Sequence, residues 1–430
     1  MPDFPFGFAL PGGQPPDPND PRQIQQFLAQ LQHLFAAPGS GPVNWDLARQ
    51  VAASQLAANG DPAVTPYERN AVEEALRLAD LWLEPVSAHP SGIRVAVAWN
   101  RNEWIYRTLD VWRKLCDPVA GRMVGAMGDL VPPEARAQLG PMQAMLTTLG
   151  GALFGGQLGQ ALGSLAAEVL SAGDIGLPLG PAGTAALIPS NIKKYGEGLE
   201  LPEDEVRIYV ALREAAHQRL FQHVPWLRGH VLSAVETYAA GITVNREAIE
   251  EAMGRLDPMN PESLQALVLE GIFTPEDTPA QKASLARLET TLALVEGWVC
   301  HVVDAAASGR LPNVNRLGEA FRRRRAAGGP AEQTFAALVG LELRPRRLRE
   351  AATLWAALTR HRGIAGRDAL WGHPDLLPAE ADFADPEAFA RSQLDLGDLE
   401  GFDFGAAERP EEPGPDRSDE PGESDQGRAG

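Results

Sequence analysis

One stretch limits the possible folds more than any other: EDEVRIYVALREAAHQRLF, from Glu203 to about Phe221. At 100° per residue, Val206, Val210, Arg213, His217 and Phe221 fall on one stripe of a helix, with Glu214 at its edge. Tyr209, Leu212, Ala216 and Leu220 make a second stripe that is wholly apolar. A helix apolar on two sides has to be enclosed by other elements. The chain must therefore be a body that closes around this helix, with Arg213, Glu214 and His217 inside it or lining a cleft. Buried ionisable groups need partners, and they cluster at functional sites.

The material for such a body is helical. Of the 430 residues 44% are hydrophobic but only 7% aromatic. Ala and Leu abound, and strand-like alternation is scarce, so a mainly α fold with at most a few short strands is expected. The net charge of −19 argues for a soluble protein and against a general nucleic-acid binder. Two cysteines, Cys116 and Cys300, cannot build a disulfide framework and fit a reducing cytoplasm. The first residues, MPDFPFGFALPGG, lack the basic start and clean apolar run of a secretion signal.

Taken in order, residues 1–21 read as a disordered Pro/Gly-rich tail and 22–380 as one helical domain. An acidic-apolar segment follows at 381–407, then a disordered acidic tail at 408–430. Helical patterns run from Arg22 to Phe35, from Trp45 (capped by Asn44) to Ala58, and from Pro66 to about Leu83. Another covers Asn102 to Met127, where Pro118 is expected to bend or interrupt it. Ala137 to Ala167 has no charge and carries Gly151, Gly155, Gly159 and Gly163 at four-residue spacing. Such spacing suits tightly packed membrane helices. Its glutamines and missing basic flank favour close packing in a helical core, and no membrane span is expected. Asp174 to Asn191 is too rich in Gly and Pro for a helix, though Thr184 to Ile188 reads as a short strand. A later helix spans Ala283 to about Ala307.

The chemistry concentrates at Arg213-Glu214-x-x-His217. Positions i, i+1 and i+4 are where HExxH places a metal ligand, a catalytic glutamate and a second ligand. Here a guanidinium stands in the first ligand's place. Zinc needs about three protein ligands and an open position. Glu296, on the later helix, is the natural partner for His217, with Glu289 two turns earlier on the same face. His223, His230 and His301 read as packed or capped residues. The competing reading of Arg213, Glu214, His217 and Glu296 is a buried ion-pair network joining two helices, with Arg213 between the two glutamates. Arginines cluster at 322–325 and 344–349 without interleaved aromatics in the first run, so a solvated helical face is expected, not a nucleic-acid site.

Several segments together carry a resemblance: NWDLARQVA, RNEWIYRTLDVW, IPSNI, VALREAAHQRLFQHVPWLRGH, LVEGWVCHVVDAA, RPRRLREAATLWAAL and LWGHPDLLP. Over roughly residues 44–380 the chain resembles an uncharacterised zincin-like metallopeptidase family of actinobacteria and their relatives, whose members are described as hydrolases or zinc-dependent metalloproteases. The resemblance implies a multi-helix zincin-like domain, zinc as cofactor, and a peptide or protein substrate or partner of unknown identity. It implies Glu214 as the catalytic glutamate and His217 and Glu296 as metal-ligand candidates. The motif is degraded at two positions: Arg213 replaces the first histidine, and Trp298 replaces the histidine after Glu296-Gly297. Both changes remove metal-binding capacity. The alternative is thus a non-catalytic binding or scaffold protein with Arg213 ion-paired in the former metal site.

Overall fold

The computed structural model describes residues 41–129, 140–240, 279–326 and 347–392. In chain order these hold α1 (Trp45–Asn59), α2 (Pro66–Leu83), β1 (Val95–Ala98), α3 (Arg101–Asp129), α4 (Gly140–Ala166), β2 (Thr184–Leu187), α5 (Pro189–Leu199) and α6 (Glu203–His223). Then come α7 (Pro225–Ala240), α8 (Pro279–Ala307), α9 (Val314–Ala326), α10 (Leu348–Asp368) and α11 (Pro386–Arg391), with short 3-10 turns between them. The fold is mainly helical, as the composition requires. The helix expected at Arg22–Phe35, both terminal tails and most of 381–407 lie outside the described residues.

Local signals start the helices where the sequence places them. The Asn44 side chain accepts from the Leu47 amide at 3.0 Å. Thr65 and Glu68 close a capping box ahead of α2, whose first residue is Pro66. Pro118 lies inside α3 without interrupting it. The uncharged stretch is α4, packed on α1. A Cβ added at Gly155 would lie 2.4 Å from the Asn44 carbonyl oxygen, and one at Gly159 would lie 2.4 Å from that of Ala48. The four-residue glycine spacing thus lets two helix backbones touch. Among the described residues no helix is long and apolar enough to cross a membrane.

The strand expected at Thr184–Ile188 is β2, and its partner is β1, a strand that the sequence pattern does not mark. The two pair in parallel, from Val95 with Thr184 to Ala98 with Leu187. Residues 170–172 run antiparallel to β2: the Ala172 amide donates to the Ala186 carbonyl, and the Ile188 amide to that of Leu170, both at 2.9 Å. This strip brings Ser171 and Gly173 against α6 and Asp174 against α9.

Helix α6 is the centre of the fold, in contact with α2, α5, α7, α8, α9 and β2. Every residue from Tyr209 to Phe221 is buried. Three acids in its first turn suit the positive end of the helix dipole. Arg219, fully buried, ties α6 to α2 through Asp80 at 2.7 Å and to the turn after α2 through Glu84 at 2.8 Å. At the other end of the chain, the beginning of the acidic-apolar segment packs on α10. Glu380 pairs with Arg347 at 3.0 Å, the Arg347 guanidinium lies over Phe383, and Glu387 meets Arg360 and His361.

Candidate functional site

Positions 213 and 217 are one helical turn apart, so their side chains leave α6 together and face α8. Both reach Glu296. Arg213 Nη2 donates to Glu296 Oε2 at 2.6 Å, and His217 Nε2 lies 2.8 Å from Glu296 Oε1. All three residues are buried. Arg213 also reaches Cys300 Sγ at 3.5 Å, and its guanidinium lies over the Phe321 ring.

Glu214 is one residue further on, about 100° round the helix, and turns elsewhere. Its Oε2 accepts from the Gly173 amide at 2.9 Å and its Oε1 from the Gln218 side chain at 3.0 Å. Arg213 therefore bridges no pair of glutamates: it holds Glu296, and Glu214 is held by the 171–173 strip. Two glycines make room for the carboxylates. A Cβ at Gly173 would lie 3.1 Å from Glu214 Oε2, and one at Gly176, which has φ +78°, would lie 2.8 Å from Glu296 Oε1.

Trp298 does not join them. Two residues from Glu296, it points about 200° away round α8. Its indole N–H donates to Asp368 Oδ1 at 2.8 Å, and that carboxylate is bound twice by Arg367. The indole is a core strut linking α8 to α10, not a plug in a former metal site. His223 meets the Ser91 carbonyl at 3.0 Å and His301 the Thr359 hydroxyl at 2.8 Å. His230 packs edge-on against Trp226.

Two arginines of α9 complete the site, against the expectation of a solvated face. Four consecutive residues sweep about 300° of a helix, so some of Arg322–Arg325 must turn inward. Arg323 is solvent-facing, with its side chain 77% exposed, whereas Arg325 is 11% exposed and reaches Glu296 Oε1 at 3.1 Å. Arg325 also donates to the Asp174 carbonyl, and Arg324 pairs with Asp174 Oδ2 at 2.8 Å. The signal for this was the length of the arginine run itself.

The electrostatics follow from these partners. Burial alone would raise the Glu296 carboxyl, but Arg325, Arg213 and His217 hold it far below the usual carboxylate range. Burial would likewise raise Asp174, and Arg324 and Arg325 bring it down. Glu214 is pushed up by burial, which outweighs the lowering effects of His217 and of its hydrogen bonds from Gln218, Gly173 and Ser171. A depressed carboxyl adds stability that is complete above its unfolded pKa and lost as pH falls. Glu296 and Asp174 should therefore weaken the fold on acidification below about pH 4.5. A raised carboxyl does the reverse, so Glu214 costs stability as pH rises. Glu214→Gln should accordingly be no less stable than the parent at pH 7, with any advantage vanishing in acid. Urea unfolding across pH 3–8 measures both effects.

Zinc meets a poor donor set here. Its ligands would be His217 and Glu296, whose facing atoms are 2.8 Å apart, a hydrogen-bond distance. Two tetrahedral ligands at about 2.0–2.1 Å from zinc lie about 3.3 Å apart. Glu296 is already bound by two guanidiniums, and the third ligand position is Arg213. Among the described residues no group of three His, Cys, Asp or Glu side chains is placed to hold a metal ion. The residues do not fit the ion.

The comparisons with known proteins cover nearly all of this body. The profile of a family described as zincin-like metallopeptidases matches residues 43–390. A solved structure from Chloroflexus aurantiacus, provisionally named a hydrolase with a novel fold, superposes with a TM-score of 0.59 at 20% identity, covering 81% of this chain and 97% of that one. No curated protein matches the chain.

Proposed function

We propose, from the premise that the chain belongs to the zincin-like metallopeptidase family, that it is a member whose metal centre has been exchanged for a fixed internal cation and that it acts by binding, without zinc-assisted hydrolysis. The observation that carries this reading is Arg213 Nη2 on Glu296 Oε2 at 2.6 Å. A guanidinium is charged at every physiological pH and offers no lone pair to a metal. It neutralises the acidic ligand from the position where an imidazole would otherwise complete the metal's coordination. Arg325 adds a second positive charge at the same carboxylate. Glu214, the residue that would act as general base in a hydrolase, has both oxygens engaged by Gly173 and Gln218.

The other reading is a zinc hydrolase with Glu214 as base and His217 and Glu296 as ligands. It is supported by family membership and by the convergence of His217 and Glu296. Metal analysis of protein purified without an affinity tag separates the two. Well under one zinc per chain is expected, with no zinc-dependent cleavage of casein or mixed peptides. About one zinc per chain, lost together with a hydrolytic activity on chelation, overturns the proposal.

A further inference from the structure

Glu296, Cys300 and Asp304 follow one another at four-residue steps along α8 and share one face. Helix α9 lies along that face: Arg325 reaches Glu296 at 3.1 Å and Arg322 reaches Asp304 at 3.8 Å. Between those two contacts the Phe321 ring centroid is 5.1 Å from the Arg213 guanidinium carbon, and Arg213 Nη1 is 3.5 Å from Cys300 Sγ. The inner face of α9 is thus the cover of the Arg213–Glu296 centre.

That cover is fastened by charge more than by apolar packing. Among the described side chains of α9 only Leu317 and Phe321 are both apolar and buried, whereas in α6 every residue from Tyr209 to Phe221 is buried. The two ends are held differently. At the start, Leu311 is buried and the Asn313 amide donates to Glu205 at 3.1 Å. At the far end, Arg324 binds Asp174 Oδ2 and the Glu168 carbonyl, each at 2.8 Å, and Arg325 binds Glu296 and the Asp174 carbonyl. Gly318, between the ends, weakens the helix at mid-length. A cation that leaves a buried carboxylate ordinarily strands it at high cost. Glu296 escapes that cost, because Arg213 and His217 stay on it when Arg325 goes. A segment with few buried apolar contacts can part from a fold whose core stays closed.

We propose that the second half of α9, from Gly318 to Arg325, is a lid over the Arg213–Glu296 centre, which swings clear about Leu311–Asn313 while α6 and α8 stay folded. Its catch is the pair of arginines on Asp174 and Glu296. The lid governs access to the centre whichever of the two chemistries above that centre serves.

Alkylation of the native full chain with N-ethylmaleimide tests this at two buried thiols, Cys300 under α9 and Cys116 on α3, with mass spectrometry reading each site. Lid motion uncovers Cys300 alone, so Cys300 should react about tenfold faster than Cys116, or more. Arg324→Gln should speed Cys300 about tenfold further and leave Cys116 unchanged. Arg323→Gln, at a side chain on the outer face, should change neither. Asp174→Asn breaks the same catch from the other side and serves if the first variant does not fold. Equal reaction of the two thiols in the parent overturns the proposal, since both would then wait for the whole fold to come apart. So does a folded Arg324→Gln or Asp174→Asn variant in which Cys300 is no faster, or in which Cys116 gains by the same factor.

Discussion

Replacing Arg213 with histidine should make the protein bind zinc. The substitution removes the guanidinium that fills the ligand position and puts a second imidazole one turn from His217, where two imidazoles can meet one ion. With Glu296 the ligand count rises to three. His217 Nε2 and Glu296 Oε1, now 2.8 Å apart, need to separate by only about half an ångström to admit a tetrahedral ion. Arg325 still competes for Glu296, so Arg213→His combined with Arg325→Gln should bind more tightly than Arg213→His alone. Zinc at a hundredfold excess over its Kd stabilises a folded protein by about 2.7 kcal/mol. The variant should therefore melt several degrees higher with zinc than without, whereas the parent should not respond. Adding Trp298→His should bring no further affinity and should lower stability, since the indole N–H lost is the one on Asp368. A folded double variant, Arg213→His with Arg325→Gln, that binds zinc no better than the parent would mean that the two helix faces do not converge on a metal position.

Arg213→Ala should be among the most damaging single changes available. It leaves Glu296 buried with one guanidinium fewer, and removing one partner of a buried pair costs on the order of 3–5 kcal/mol. Arg325 and His217 remain on the carboxylate, so the lower end, about 3 kcal/mol, is expected. Arg213→Lys keeps the charge but loses the flat fork and the contact over Phe321, and should fall between parent and Ala variant. Chemical denaturation at pH 7 gives the order. Equal stability of all three proteins would show that the pair carries no net weight in the fold.

The central helix was legible because burial leaves a periodic trace. The two stripes over 206–221 predict an enclosed helix, and α6 is enclosed. Positions 213 and 217 fall on one stripe of that helix, and Glu296, expected opposite His217, meets both side chains. What could not be read was anything set by long-range geometry. Glu214 was expected beside Arg213, but adjacent helical residues diverge by about 100°, and the group that meets it, the Gly173 amide, lies 41 residues away. Trp298 was assigned by analogy with a neighbouring motif position, although a two-residue step on a helix reverses direction. The α9 arginines were read from charge alone. A run of four covers nearly the whole circumference of a helix, so its inward members depend on what packs there, which here is Asp174 and Glu296. Strand β1 was missed because four small and aliphatic residues, Val95–Ala98, carry too little alternation to stand out.

The hydrogen bond from the Gly173 amide to Glu214 Oε2 makes one backbone proton a reporter for the whole centre. That amide is bonded to a side chain of α6 and not to a strand partner. It exchanges with deuterated solvent only when the 171–173 strip parts from the central helix. Its exchange rate therefore measures the free energy of opening at this spot, separately from global unfolding. Slow exchange, on the scale of the buried core of α6, would mark the centre as part of the most stable unit of the fold. Exchange much faster than that core would mark the strip as a region that lifts away on its own.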